Sequence, residues 1–393
     1  VLLEGVYYNC TTDENGWITL NIDLKPGFYN VECYYYSKNI NENSFDKTNI
    51  TVLSTVLGQS EVKYYGDYPY LTIKFLDGTG KLIKNTNFVI DIDGKKYSAQ
   101  TNDEGVFNFN LNLNSGNHLI SVNNPYDGLF VTYKLDILTT IYANNLVKVF
   151  NNGASYTAQL LDKYGNPLKN KNVKIIINGV LYYKKSDVNG IVELNMNLNP
   201  KTYLVTVINP VTNEYIENTV KILPTLVNNK NINMYFSNGA FYKVRVVGND
   251  GKIVGSGKIV KIKVNGKIYK IKTNKDGYAL FKINLKPGKY IITAEYNSYK
   301  VSNKINVKSL LTAKNISHKK SKKIKFSSKL VDTKGKAVKG KKITFKFKGK
   351  TYTTKTNKNG IATITIKNLK VGKYSIMSIC GKSIIKNTIT IKK

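Results

Sequence analysis

Apolar and polar residues alternate in short runs along most of this chain. Ile343, Phe345 and Phe347 interleave with Thr344, Lys346 and Lys348, and Phe107, Phe109, Leu111 and Leu113 with Asn108, Asn110 and Asn112. A period of two turns one face of a strand toward a core and the other toward water. No stretch carries the 3.6-residue period and end caps of a helix, so an all-β fold is predicted. Residues 155–223 show the plan most clearly. A strand at 155–161 runs into the polar turn Asp162-Lys163-Tyr164-Gly165-Asn166-Pro167. The β-branched run 173–177 ends at Asn178-Gly179, a strong two-residue hairpin signal. A return strand at 181–185, a turn at 186–190 and strands at 194–198, 203–208 and 215–223 complete the unit.

The plan recurs. Gly-x-x-Tyr with a second Gly eight residues further on appears as Gly5, Tyr8 and Gly16; Gly94, Tyr97 and Gly105; Gly179, Tyr182 and Gly190; Gly266, Tyr269 and Gly277; and Gly349, Tyr352 and Gly360. An anchoring Leu follows each set, at Leu24, Leu113, Leu198, Leu285 and Leu369. The spacing of about 85 residues exceeds a solenoid repeat and suits a small domain with its own core. The expected division is 1–55, the C-terminal part of a truncated module; 56–139, 140–225 and 226–310, full modules; and 311–393, a strongly basic module. About seven strands per full module, with turn signals every 8–12 residues, fit an antiparallel immunoglobulin-like β-sandwich. The seams Leu138-Thr139-Thr140 and Leu223-Pro224-Thr225 are short, so tandem sandwiches in an elongated, semi-rigid rod are expected. The chain starts without Met and inside a module, which reads as the C-terminal portion of a longer polypeptide.

Five residues beyond each anchoring Leu stands an aromatic: Tyr29, His118, Tyr203, Tyr290 or Tyr374. A Tyr at the entry to the penultimate strand matches the tyrosine corner, where its hydroxyl satisfies a backbone group. Tyr29, Tyr203, Tyr290 and Tyr374 are therefore structural candidates. In the second module Ser115-Gly116-Asn117-His118 replaces Pro-Gly-x-Tyr, and the imidazole can substitute as a planar donor.

Charge changes the picture. The net charge is +35, and it climbs along the repeats as −4, −2, +4, +14 and +23. Residues 311–393 hold 24 lysines against one acid, Asp332. An A/T-rich coding sequence explains abundant Lys but not the disappearance of Glu, so a field that attracts polyanions is expected. Its candidates are Lys319, Lys320, Lys322, Lys323, Lys341 and Lys342. Nucleic acid is not the expected partner: Arg245 is the single Arg among 60 basic residues, and base readout leans on Arg.

Other chemistry is sparse. His118 and His318 stand in different modules, no Cys/His cluster has metal spacing, and no Ser/His/Asp set is suggested, so neither catalysis nor a cofactor is expected. The turns Thr12–Gly16, Thr101–Gly105 and Ser186–Gly190 superficially resemble calcium loops, but later copies place Lys275 or Lys358 there, and hairpin chemistry covers all five. Cys10 and Cys33 are close enough in sequence to pair if their strands face each other, whereas Cys380 reads as a small apolar residue. Tyr34, Tyr35 and Tyr36, and Tyr64 and Tyr65 with Tyr68 and Tyr70, offer rings for stacking a sugar or peptide, or serve simply as strand formers. The triplets at Asn9, Asn49 and Asn315 match N-glycosylation acceptors and are compatible with export. No apolar run approaches the ~20 residues of a membrane span.

The turn Leu161-Asp162-Lys163-Tyr164-Gly165-Asn166-Pro167-Leu168, the hairpins Asn178-Gly179 and Asn265-Gly266, the turn Thr273-Asn274-Lys275-Asp276-Gly277 and the segment Leu285-Lys286-Pro287-Gly288-Lys289-Tyr290 together resemble the tandem Ig-like repeats of adhesin-like surface proteins of methanogenic archaea. Those repeats are distantly similar to bacterial invasin-type modules. The resemblance implies an extracellular, cell-surface stalk without catalysis. Its expected partners are cell-envelope polyanions or surface glycans and proteins of another cell. The alternative is a spacer or wall-binding part of a larger secreted enzyme.

Overall fold

The computed structural model describes residues 1–37, 43–67, 70–110 and 112–393, without the side chains of Tyr70, Phe109 and Asn110. Tyr68 and Leu111, which figure in the sequence patterns above, lie outside the described residues. The described residues form no helix; they form four pairs of sheets, each pair three- and five-stranded, and one four-stranded sheet. Two compact units divide the chain: Val1–Asn144 with Thr157–Glu193 and Leu204–Asn218, and Asn145–Tyr156 with Leu194–Tyr203 and Thr219–Lys393.

The last repeat has eight strands: β1 (Leu311–Ala313), β2 (Ile316–Lys319), β3 (Lys323–Leu330), β4 (Lys342–Phe347), β5 (Lys350–Lys355), β6 (Ile361–Lys367), β7 (Gly372–Cys380) and β8 (Ser383–Lys392). One sheet has the order β1-β3-β6 and the other β2-β8-β7-β4-β5, and each of the three preceding repeats has the same pair of orders. Period-two patterning builds the sandwich. Along β3, Ile324, Phe326, Ser328 and Leu330 are buried while Lys323, Lys325, Ser327 and Lys329 are exposed. Phe326 meets Phe345 of β4 edge to face at 6.0 Å, joining the two sheets. Truncating such a ring to Ala costs about 3–5 kcal/mol. The inward Ser328 hydroxyl is satisfied by Ser378 of β7 at 2.7 Å. Separate buried clusters lie within 56–137, within 226–307 and within 311–391.

One strand pair departs from the antiparallel expectation. Strand β2 runs parallel to β8, with Ile316 opposite Ile389. Glu61–Tyr64, Leu146–Val149 and Ile232–Tyr235 pair in the same parallel way with the final strands of their repeats. The first strand of each full repeat is split, half joining one sheet and half crossing to the other, which makes eight strands instead of about seven. A polar side chain sits at every split. Asn315 Oδ1 accepts the Thr388 N–H at 2.9 Å, Asn231 that of Lys304 at 2.8 Å and Asn145 that of Thr219 at 2.7 Å; Ser60 Oγ accepts that of Lys134 at 3.0 Å. Each supplies the acceptor that the interrupted ladder lacks.

Residues 1–55 form a sheet of Val6–Tyr7, Leu2–Leu3, Gly27–Tyr36 and Asn43–Val52 in that order, the neighbour relations of β5-β4-β7-β8. The Gly5 turn corresponds to the hairpins closed by Gly94 and Gly349. The alternation expected over 194–198 is shorter as a strand, which ends at Leu194, although Met196 is still buried.

Candidate functional site

The acidic and amide residues of the turns are engaged locally. Asp162 Oδ1 accepts the N–H groups of Tyr164 and Asn166, and Asp187 Oδ1 those of Asn189 and Ile191. Asn102, Asn274 and Asn357 do the same in the corresponding turns. These oxygens satisfy backbone donors, which explains why Asp and Asn interchange there. Asp332 accepts from Lys334 and Lys336, both at 2.8 Å, and the Lys336 N–H chiefly holds its carboxyl below the usual range.

The corner aromatics share one geometry. The hydroxyls of Tyr203, Tyr290 and Tyr374 each donate at 2.8 Å to the carbonyl four residues upstream, on Asn199, Lys286 and Lys370; Tyr29 reaches Lys25 at 2.5 Å. His118 occupies the equivalent place with a second partner. Its Nε2 lies 2.8 Å from the Asn114 carbonyl and its Nδ1 2.6 Å from the Asp93 carboxylate. Burial opposes the imidazolium, but Asp93 and the Asn114 carbonyl outweigh it and raise the His118 pKa.

Of the sequence tyrosines, Tyr64 covers Gly165 of the next repeat and Tyr65 packs on the core of its own. Tyr34 donates to Glu32 at 2.6 Å, and that bond pushes its pKa up to about 12, while Tyr35 and Tyr36 are exposed. Cys10 and Cys33 are free thiols, not a disulfide, and Cys380 packs against the last repeat's core, where burial raises its thiol pKa.

The Tyr64 contact belongs to a repeated joint. Tyr64, Val149 and Tyr235 close equivalent short strands, and each faces a turn glycine of the following repeat: Gly165, Gly251 and Gly335. A Cβ at Gly335 would lie 2.6 Å from Tyr235 Cε2, so the close approach requires glycine.

The six candidate lysines are all exposed, but the structure does not bring them together. Lys319, Lys320, Lys322 and Lys323 cluster from the end of β2 to the start of β3. Lys341 and Lys342 lie beyond Val338, which bonds to Leu330 at the other end of β3. Seven residues of strand, about 23 Å, separate Lys323 from Leu330. Lys323 is opposite Lys367 of β6, and Lys325 is opposite Thr365. With His318 of β2 they line an open depression. Lys325, Lys367 and His318 were not among the sequence candidates. The alternation of Lys323 and Lys325 with Ile324 and Phe326 places the first two on one face, but nothing local pairs that face with Lys367.

These features sit on a tandem array of Ig-like β-sandwiches. No protein-family model and no curated protein matches the sequence. Among solved structures, the chain is similar to a Ca²⁺-stabilised adhesin that helps an Antarctic bacterium bind ice, at 13% identity over 86% of this chain and 98% of that one, with a TM-score of 0.19. It is also similar to invasin, a bacterial integrin-binding protein, at 14% identity over 86% of this chain and 79% of that one, with a TM-score of 0.21. The I9–I11 tandem of titin matches 64% of this chain and 98% of its own at 14% identity, with a TM-score of 0.25.

Proposed function

We propose that this chain is a non-catalytic, adhesin-like stalk displayed outside the cell, whose basic last repeats rest on an anionic envelope. The kinship with archaeal surface repeats implied by the sequence motifs is part of this reading. The observation that carries it is the segregation of charge: the last repeat holds 24 lysines and a single acid side chain, Asp332, which serves a turn. Such a field has almost no internal counter-charge and attracts polyanions over about one Debye length, roughly 10 Å at 0.1 M salt. The repeated joint supports the stalk, because an aromatic or branched side chain of one repeat meets a turn glycine of the next.

The test is binding of residues 311–393 and of residues 56–139 to immobilised dextran sulfate across a salt series. The basic repeat should bind at low ionic strength and elute as salt rises, and residues 56–139 should pass through. Salt-insensitive binding, or equal retention of both fragments, refutes the envelope-docking reading.

A further inference from the structure

In the three-stranded sheet of the last repeat, lysines meet across neighbouring strands. The outward residues of β3 and β6 form two facing rows: Lys323, Lys325, Ser327 and Lys329 on one, and Lys367, Thr365 and Thr363 on the other. Like charges directly opposite on neighbouring strands destabilise a sheet, and here Lys323 stands opposite Lys367. Lys325 follows two residues along the same face, about 7 Å away. In the corresponding strands of the second and fourth repeats no Lys is paired with another Lys: Tyr70 to Lys74 face Asn110 to Val106, and Phe241 to Arg245 face Lys282 to Tyr278.

Three further features make the face a site. The Lys323–Lys367 end is walled by β2, so that His318, Lys323, Lys325, Thr365 and Lys367 line one concavity. His318 Nδ1 lies 3.2 Å from the Lys319 carbonyl, a contact that ties the ring to the end of β2. Asp332, the one acid side chain of the repeat, is fixed in the turn beyond the opposite end of β3 and cannot neutralise the lysines.

We propose that this face of the last repeat is a specific binding site for a linear polymer bearing closely spaced oxyanions, phosphate or sulfate. The proposal rests on the envelope-docking reading and sharpens it: one oxyanion bridges Lys323 and Lys367, relieving their repulsion, and the next reaches Lys325 with the Thr365 hydroxyl beside it. The face carries Lys, Ser, Thr and His but no Phe, Tyr or Trp on which nucleobases would stack. The occupant is therefore an anionic polysaccharide or polyphosphate, not single-stranded nucleic acid.

A second opposed pair provides the control. Lys342 faces Lys355 in β4 and β5, at the edge of the other sheet. The experiment uses the whole 393-residue chain, with dextran sulfate, polyphosphate and single-stranded DNA as probes, at low and moderate salt. Lys323→Gln/Lys325→Gln/Lys367→Gln is compared with Lys341→Gln/Lys342→Gln/Lys355→Gln, which removes the same charge. The site variant should lose at least tenfold in affinity for both polymers and the control no more than about threefold. Lys325→Gln alone should lose a few-fold, which keeps the test valid if the triple variant fails to fold. Preference for one polymer distinguishes sulfate from phosphate as the source.

Equal losses in the two triple variants overturn the site while leaving the diffuse field in place. No binding by the unaltered chain overturns both readings. Single-stranded DNA binding more tightly than either polymer overturns the assigned ligand class.

Discussion

Replacing Gly335 by Ala separates a local backbone effect from the joint between the fourth and fifth repeats. Gly335 has φ of +84°, and holding a residue with a Cβ in the left-handed region costs roughly 1–2 kcal/mol. That penalty belongs to the turn and is present whether or not the preceding repeat is attached. The joint adds a second term. The new Cβ would lie 2.6 Å from Tyr235 Cε2 and 2.9 Å from both Cζ and the hydroxyl oxygen, so the ring must leave its place. Contacting residues usually couple by about 0.5–3 kcal/mol. The fragments 311–393 and 226–393 contain one and both of the buried clusters that flank the joint. Urea unfolding followed by far-ultraviolet circular dichroism should show a loss of about 1–2 kcal/mol for Gly335→Ala in the shorter fragment. In the longer fragment the last repeat should lose about 1 kcal/mol more. Tyr235→Ala should abolish that excess, because the clash goes with the ring. An equal loss in both fragments, or an excess that survives Tyr235→Ala, refutes the joint.

Three further outcomes are expected. Tyr290→Phe removes only the hydroxyl bonded to Lys286, so residues 226–310 should lose about 0.5–1.5 kcal/mol in urea; Tyr269→Phe, whose hydroxyl has no partner among the described hydrogen bonds, should lose less than half as much. The doubly bonded His118 needs N–H on both ring nitrogens, so its folded pKa lies above the ordinary 6.5 and its contribution is complete below that value and fades as pH rises through the raised one. Asp93, whose pKa is lowered chiefly by His118, contributes above its ordinary 3.8 and loses its effect as acid takes the pH through the lowered value. Residues 56–139 should therefore be less stable at pH 8.5 than at pH 5.5, by no more than about 1 kcal/mol because Asp93 is partly exposed. His118→Tyr should flatten that profile; an unchanged slope sinks the assignment. Asn315→Ala leaves the Thr388 N–H without its acceptor at the strand split and should cost the last repeat about 1 kcal/mol in thermal or urea unfolding; no change would mean that water replaces the side chain.

Features whose partners lie a few residues apart were legible in the chain. The corner bond runs from a Tyr to a carbonyl four residues earlier, and the turn Asp and Asn bind N–H groups two and four residues later. The same residues therefore recur at the same spacing in successive repeats. Alternation was equally legible, because the pleat assigns every second residue to the same face whatever the strand pairs with.

Choice of partner strand was not legible, since pairing follows from how whole faces are buried together. The split first strand and its parallel register against the last strand join residues more than 70 positions apart, as in Asn315 and Thr388. The joint brings Tyr64 to Gly165, about 100 positions away, and needs two folded repeats to exist. Lysine-rich composition marked the last repeat as basic, and its six candidate lysines were grouped by closeness in sequence. Only the tertiary structure divided them between the two ends of β3 and set Lys323 against Lys367. Composition determines how much charge a repeat carries, and alternation determines which charges face water. Strand pairing determines which of those charges become neighbours, and that depends on burial across the whole sandwich.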